Sequence, residues 1–439
     1  MRYGMRVAGV IGALAVLGAC SRSSAPAREV IPAASAGRIF AEAGRLCQAE
    51  GGALWGKSLC GPMLFADPAT RQAVLNGPSP GAVRDGAVYR LQLPAGTGVA
   101  NTAIELAGQR WTMLRWPLPE KSAARSVLLM HESYHRIQPD LGLEGSGGLG
   151  ANLHLDTREG RVWLRAELRA LSSALRSQGD ARRRALADAV LFRAYRRSLW
   201  PGASAEERGL ELNEGLAEST GIDAALREPD ARIEAALGDI AGCEAAPSFV
   251  RSFAYATGPA YAELLDAADA GWRRKVTAAF DFGSAAAAAY GIASPPASKS
   301  AAGAAFERYG GSDVVAQEDV RSRAIEERNA RFTRLFLDGP TVRFRLARMK
   351  ITFNPREVSS FAGHGSVYGT VELSDDWGTL EVVSGAALVS PDFKTVTVPA
   401  APRTGPEHPE GIAWKVRLAE GYTLVPDPAS PGSFAVRKR

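Results

Sequence analysis

The segment HESYH at residues 131–135, which has the spacing HExxH, constrains the fold of this chain most. Residues four apart stack on one face of an α-helix, one turn apart. If the segment is helical, His131 and His135 can bind one metal ion, and Glu132 stands beside them to act on water. The apolar run at residues 127–130 indicates that the helix is buried in a domain. We therefore predict a helix over residues 122–138; the alternative is a surface helix that carries two histidines by chance.

The first 20 residues have the features of a bacterial lipoprotein signal peptide. Arg2 and Arg6 precede an apolar run at residues 7–17, which is too short to span a bilayer. Residues 17–20 resemble a lipobox, which would leave Cys20 to carry the lipid. Residues 21–35 are rich in Ser, Ala and Pro and are expected to be a tether. We expect a protein of the bacterial cell envelope that faces the periplasm and is anchored to a membrane; an ordinary secreted protein is the alternative.

Export also affects how the cysteines are interpreted. Cys47 and Cys60 flank a glycine-rich segment, and an oxidising compartment favours a disulfide between them. Cys243 has no obvious partner and is predicted to be a buried thiol. The spacing of these cysteines is not that of a cysteine-based metal site.

Length and pattern predict an α+β protein with two domains. The 439 residues suffice for two or three domains. Residues 36–338 are expected to form a mainly helical catalytic domain with a small sheet before the HExxH helix, and residues 339–439 alternate as in a β-sandwich or barrel. The formal charge is +5 and the basic residues are interleaved with acidic ones, so nucleic acid is not an expected partner.

A second segment, ELNEGLAE at residues 211–218, bears three carboxylates. At 3.6 residues per turn, Glu211, Glu214 and Glu218 fall within roughly 60° of one another. Three carboxylates on one face of a helix repel one another, and a bound cation would offset this repulsion. The alternative is an acidic stripe that is exposed to solvent. The arginine-rich faces of the predicted helices at 159–177 and 180–198 are expected to be solvated.

The two segments together resemble the gluzincin metallopeptidases. In that family HExxH supplies two zinc ligands and a Glu on a later helix supplies the third, and residues 213–215 are similar to the N-E-G signature of its aminopeptidase branch. The resemblance implies Glu214 as third ligand and Glu218 as hydrogen-bond partner of a zinc-bound His. The segment 255–258 is similar to the Tyr-x-x-Gly element and implies that Tyr255 stabilises an oxyanion. Tyr261 is the second candidate, and a core tyrosine is the alternative.

The sequence also departs from the family pattern. The 78 residues between His135 and Glu214 are far more than the usual spacer, so Glu159 and, more weakly, Glu167 are rival third ligands. The G-x-M-E-N motif of exopeptidases is absent from the predicted strands, and aminopeptidase specificity is therefore not expected. His154 is expected to be a loop or helix-start residue, with an alternative role as a ligand or transition-state donor.

These expectations combine into one functional prediction. The chain is expected to be an exported zinc-dependent hydrolase, a peptidase, that holds one Zn²⁺ through His131, His135 and Glu214. Glu132 would be the general base, Tyr255 would bind the oxyanion, and a peptide or protein would be the substrate. The alternative is a non-catalytic binding or assembly protein of the cell envelope that uses the same fold. A serine hydrolase is not expected, because the GPSPG segment at residues 77–81 has prolines on both sides of its serine.

Overall fold

The computed structural model describes residues 30–94, 97–143, 152–293, 297–353, 357–361, 363–383, 385–411 and 413–439. The predicted signal peptide, Cys20 and residues 21–29 of the predicted tether lie outside the described residues. The chain divides into two compact units between Tyr309 and Gly310. The boundary predicted between residues 338 and 339 lies later than this division, because a long helix that precedes the C-terminal strands belongs to the second unit.

The first unit begins before the end of the predicted tether. Ile31 is fully buried and helix α1 (Ala33–Glu50) starts two residues after it, so the tether prediction is wrong for residues 31–35. Gly51 ends α1 in the left-handed conformation that glycine adopts readily. A disulfide joins Cys47 near the end of α1 to Cys60 and closes the glycine-rich loop.

A six-stranded sheet follows α1. Its strands stand in the order β3-β4-β2-β1-β6-β5, with β1 and β6 parallel and the other neighbours antiparallel. Strand β5 is therefore an edge strand. Buried side chains such as Leu64, Trp111 and Met113 form the core on one side of the sheet. The strands are β1 (Met63–Ala66), β2 (Gln72–Leu75), β3 (Val83–Asp85), β4 (Val88–Gln92), β5 (Thr102–Leu106) and β6 (Gln109–Arg115).

The HExxH segment lies on helix α2 (Ser122–Ile137), as predicted. Pro117 and Pro119 separate β6 from α2, because a proline removes a backbone donor and disfavours helix at the preceding residue. At its other end, α2 passes into a 3₁₀ turn (Gln138–Leu141) that contains Pro139, and Gly142 closes this turn in the left-handed conformation. The helix is therefore limited on both sides by the sequence.

The rest of the first unit is helical. Helices α3 and α4 pack against each other through small and apolar residues, among them Leu164, Ala189 and Phe192. Helix α5 continues through one turn of π-helix (Glu211–Gly215) into α6, so that the segment is one helix with a local widening. The helices are α3 (Arg158–Arg176), α4 (Gly179–Ser198), α5 (Ala203–Leu210), α6 (Leu216–Ala225), α7 (Pro229–Ala245), α8 (Ser252–Ala268), α9 (Phe282–Ala289) and α10 (Lys299–Phe306).

The second unit contains helix α11 (Gly311–Thr333) and two sheets. The sheets have the orders β16-β17-β7-β14-β13-β10-β9 and β15-β12-β11-β8, and residues such as Phe344 and Leu373 bring them into one shared core. The strands are β7 (Thr341–Arg345), β8 (Lys350–Phe353), β9 (Val358–Phe361), β10 (Gly365–Tyr368), β11 (Val371–Asp375), β12 (Gly378–Val382), β13 (Ala387–Val389), β14 (Thr395–Pro399), β15 (Trp414–Leu418), β16 (Tyr422–Pro426) and β17 (Phe434–Lys438).

The α+β class is confirmed by this architecture: a small N-terminal sheet, a helical middle and C-terminal sheets. Among the described residues, no helix is long and apolar enough to cross a membrane.

Candidate metal centre

Helix α2 presents its two histidines to one point. His131 and His135 are four residues apart, and their Nε2 atoms are 3.1 Å from each other. His131 and Glu132 are 4% exposed, so the first turn of the motif is buried although all of its side chains are polar. Burying polar groups costs free energy unless they have partners, so the elements packed against α2 must supply those partners.

Helix α6 crosses α2 at a glycine. A Cβ added to Gly221 would lie 2.7 Å from the carbonyl oxygen of Val127 and 3.2 Å from the backbone nitrogen of His131. These distances are shorter than ordinary van der Waals contacts, so only glycine permits this approach. The close crossing brings the acidic segment before Gly221 against the face of α2 that carries the histidines.

Glu214 completes a group of three possible metal ligands with His131 and His135. Its Oε2 atom is 3.6 Å from the Nε2 atom of each histidine. Zinc–nitrogen and zinc–oxygen bonds of about 2.0–2.1 Å in a tetrahedron place neighbouring ligand atoms roughly 3.3 Å apart. The three observed separations are close to this value, so the donor atoms are spaced as one ion of this size requires.

The partners of the outer ring nitrogens also favour a cation. His131 Nδ1 is 2.6 Å from Glu218 Oε2, and His135 Nδ1 is 2.9 Å from Gln138 Oε1. The amide nitrogen of Gln138 donates to the carbonyl of Leu143, so its oxygen accepts from His135. Both Nδ1 atoms therefore donate, and when both imidazoles are neutral their two Nε2 lone pairs face each other. Such a pair is repulsive unless a cation or proton lies between them, and the residues present thus fit a metal ion.

The electrostatics of the cluster agree with this conclusion. Burial alone would lower the pKa of His131, but its contacts with Glu214 and Glu218 raise it to about 10. Burial would raise the pKa of Glu214, yet the neighbouring histidines and the hydrogen bond from Tyr255 hold it well below its usual range. The site therefore stabilises positive charge, and an ion that displaces the proton from His131 would meet ionised carboxylates.

Helix α8 meets the π-helical turn at a second glycine contact. A Cβ on Gly258 would lie only 2.3 Å from Gly215 Cα, and one on Gly215 would lie 3.2 Å from Gly258 Cα. Because two helices touch at these glycines, side chains on α8 reach Glu214. The Tyr255 hydroxyl donates to Glu214 Oε2 over 2.6 Å, and Arg251 donates to Glu214 Oε1 over 2.9 Å. The Tyr255 ring is also stacked on His131, with a centroid distance of 5.7 Å.

Glu132 has a different environment from the other carboxylates. Its Oε2 atom is buried and has no hydrogen-bond partner among the described residues. Burial raises the pKa of Glu132, while the positive charge of His131 and His135 lowers it in part. A carboxyl group with a free oxygen and a raised pKa beside a metal site has the properties of a proton acceptor.

The cluster forms the base of a cleft of about 640 Å³. Edge strand β5 and the residues before it contribute one wall, and α8 contributes another through Arg251 and Tyr255. The cleft is lined by Ala100, Asn101, Thr102, Ala103, Leu128, His131, Glu132, His135, Gln138, Pro139, Asn213, Glu214, Glu218, Arg251 and Tyr255.

The rival ligands lie elsewhere. Glu159 contacts Arg158 and Trp163, and Glu167 contacts buried arginines and Tyr261. His154 pairs with Glu207 at 3.0 Å rather than with the other histidines. Neither rival carboxylate lines the cleft, and the second tyrosine candidate is engaged with Glu167.

Glu211 does not share the metal-facing surface that helical spacing predicts for it. The π-helical turn, closed by a hydrogen bond from the Leu216 nitrogen to the Glu211 carbonyl, is wider than an α-turn and changes the direction of the side chain. Glu211 instead accepts from Arg193 at 2.9 Å and pairs with Arg197. The prediction of a solvated arginine face on α4 is therefore wrong, because Arg193 and Arg196 are buried among carboxylates.

Two residues of the site were missed by sequence reasoning. Gln138 lies three residues after His135, a helical spacing at which a hydrogen bond could have been suspected. Arg251 lies four residues before Tyr255 and would share its helix face, but an isolated arginine on a predicted helix carries no signal of its own.

Comparisons of the chain with family models, with curated proteins and with solved structures found no match.

Proposed function

We propose that this protein is a zinc-dependent hydrolase that cleaves peptide bonds. The observation that carries the proposal is the convergence of three donor atoms from His131, His135 and Glu214 beside a carboxyl group, Glu132, with a free oxygen. Two imidazoles, one carboxylate and an adjacent acid are the set expected of a catalytic zinc site with an open position. One zinc ion per chain would be held.

The chain's own residues have distinct tasks in this reaction. A bound zinc ion would supply Lewis acidity, which activates water and polarises a carbonyl group. Glu132 takes a proton from the attacking water and passes it to the leaving amine, a role for which a raised pKa is suited. Glu218 and Gln138 orient the two imidazoles through their Nδ1 atoms. The Tyr255 hydroxyl donates to Glu214 Oε2 in this structure, and in the reaction it would turn this single proton from Glu214 to the developing oxyanion.

The shape of the cleft supports a peptide as substrate. Strand β5 stands at the edge of its sheet and its first residues line the cleft. An edge strand presents unpaired backbone groups that can bind an extended chain by β-augmentation. A peptide bound in this way would pass over the histidines with its backbone fixed.

Export to the cell envelope and a lipid anchor on Cys20 are part of the proposal and rest on the sequence of residues 1–20. The Cys47–Cys60 disulfide supports an oxidising compartment, where such bonds persist.

The test compares the parent with Glu132→Gln, His135→Ala and Glu214→Ala. We expect about one zinc per chain in the parent and in Glu132→Gln by elemental analysis, and its loss in the other two variants. Only the parent should hydrolyse a mixed peptide library, followed by mass spectrometry. Glu120→Gln is the matched control, since Glu120 is exposed at the start of the segment that leads into α2.

Two results would contradict parts of this proposal. Full hydrolysis by Glu132→Gln would exclude its role as general base. Zinc binding without hydrolysis of any peptide would favour the alternative, a non-catalytic binding or assembly protein of the cell envelope.

A further inference from the structure

A second, smaller pocket adjoins the metal cleft. It has a volume of about 420 Å³ and lies between α7 and α8. Arg251 and Tyr255 line both the pocket and the cleft, so the two cavities share one wall. The two cavities are therefore neighbours, with Arg251 and Tyr255 between them.

Two of the residues that line the pocket are glycines, and their missing side chains leave part of its volume. Gly238 and Gly242 are one helical turn apart on α7 and line the pocket together. A Cβ added to either would meet no atom within 4 Å. No close backbone approach requires glycine at these positions, in contrast to Gly215 and Gly258 at the helix crossing. The glycines therefore leave space rather than allow contact.

A carboxylate between these glycines in sequence is left unsatisfied. Asp239 lines the pocket, and its Oδ2 atom is buried without a hydrogen-bond partner in the described part of the chain. Burial and the negative charge of Glu218 raise the pKa of Asp239 to about 8, and the positive charge of His131 lowers it in part, so a bound cation would favour the ionised form. A buried acceptor without a partner costs free energy, which a donor from a ligand would recover. The positive charge of Arg251 is already paired with Glu214.

We propose that this pocket receives a lysine or arginine side chain of the substrate, from a residue next to the bond that is cleaved. The aliphatic stem would lie along the two glycines and the Tyr255 ring, and the cationic head would pair with Asp239. The proposal rests on the proposed function, because it assumes a peptide in the metal cleft. It adds a preference for basic residues, which the metal site alone does not create.

Binding is measured separately from catalysis to test the pocket. The full-length chain with Glu132→Gln, loaded with zinc, is titrated with fluorescein-labelled peptides that differ only in lysine or norleucine at one position. Norleucine keeps the stem and removes the charge. We expect the lysine peptide to bind roughly tenfold more tightly at one position, as a charge-assisted hydrogen bond in a partly buried site allows.

Two further substitutions in the same background identify the pocket. Asp239→Asn should reduce the ratio of lysine to norleucine affinity to about one, and Gly242→Leu should weaken binding of both peptides by filling the pocket. Asp230→Asn, an exposed position on the same helix, should leave the ratio unchanged. Circular dichroism shows whether each variant is folded.

The outcomes separate this proposal from the proposed function. Equal binding of the two peptides, no binding of either, or a lysine preference that survives Asp239→Asn would overturn the pocket assignment. Hydrolysis by the parent without any preference for basic residues would do the same and leave the hydrolase intact. A lysine preference that Asp239→Asn abolishes, in a protein that hydrolyses nothing, would support the pocket and refute the hydrolase.

Discussion

The contact between Gly215 and Gly258 permits a quantitative prediction. In Gly258→Ala the new Cβ would lie 2.3 Å from Gly215 Cα and 2.7 Å from its carbonyl oxygen. Carbon atoms pack at about 3.5–4.0 Å, so the two helices must separate by roughly 1 Å or more. Both atoms belong to the backbone of Gly215, which cannot rotate away as a side chain would. The clash can therefore be relieved only by moving α8 away from the π-helical turn that contains Gly215.

This separation acts on both stability and metal binding. Overpacking of this kind costs about 1–3 kcal/mol of unfolding free energy. Glu214 precedes Gly215, and its two hydrogen-bond donors are Tyr255 on α8 and Arg251 directly before α8, within about two turns of Gly258. A shift of α8 weakens both bonds to this proposed ligand. We therefore expect zinc affinity to fall roughly tenfold or more, as for loss of outer contacts in zinc sites.

The assay is urea unfolding of the metal-free protein together with zinc titration against a chelating dye. Gly44→Ala is the control, since Gly44 lies in the middle of α1 and its Cβ would meet no atom within 4 Å. The control should gain about 0.5–1 kcal/mol, as expected when alanine replaces an unconstrained helical glycine. The reasoning would be refuted if Gly258→Ala behaved like Gly44→Ala, with equal or greater stability and unchanged zinc affinity.

Two further predictions concern buried charge. Arg193→Met removes one of two cationic partners from each of three carboxylates and should cost about 3–5 kcal/mol in urea unfolding, whereas Arg184→Met, an exposed change on the same helix, should cost little; equal effects would contradict this. Burial and the nearby Asp223 raise the pKa of Glu263 to about 8 from 4.5, so the folded state keeps a proton that the unfolded chain releases. The contribution of Glu263 to the free energy of unfolding is fully present below about pH 4.5 and is lost as the pH rises to 8. Glu263→Gln should therefore reduce the fall in the urea midpoint between pH 5 and 8. An equal fall in the parent and the variant would contradict this prediction.

The sequence was most informative where spacing was local. The four-residue period of HExxH specified which atoms of His131 and His135 could meet, because a helix translates spacing directly into direction. Helical spacing also placed Glu218 on the same face as Glu214, whereas its role as the partner of a histidine was implied by the resemblance. The resemblance implied that residues 131–135 and 211–218 face each other. In the structure, Gly221 allows the close contact of α6 with α2 that brings them together. No local sequence pattern reveals this role of Gly221.

Predictions from residue spacing were wrong where a side chain has its partners far away in the sequence. The arginines of α4 look like a solvated face because charge runs usually are, and their burial depends on carboxylates from three other segments. Similarly, residues 367–371 fall within the alternating C-terminal sequence, which does not show that the chain leaves one sheet after β10 and enters the other at β11. Gly369 sits in this bend, where a Cβ would lie 3.2 Å from that of Glu357. The burial of these arginines and the change of sheet at Gly369 depend on packing between elements, which the spacing of residues along the sequence does not show.

The buried arginine network gives a physical reason for the long spacer before Glu214. Arg193 on α4 joins Glu167 on α3 to Glu211 on the π-helical turn. The same Glu211 accepts from Thr257 on α8 over 2.6 Å. The two helices that lie between the motifs are thus tied to the turn that carries Glu214 and to the helix that carries Tyr255. Because the π-turn directs Glu211 to the network while Glu214 faces the histidines, α3 and α4 support the turn that carries the proposed third ligand.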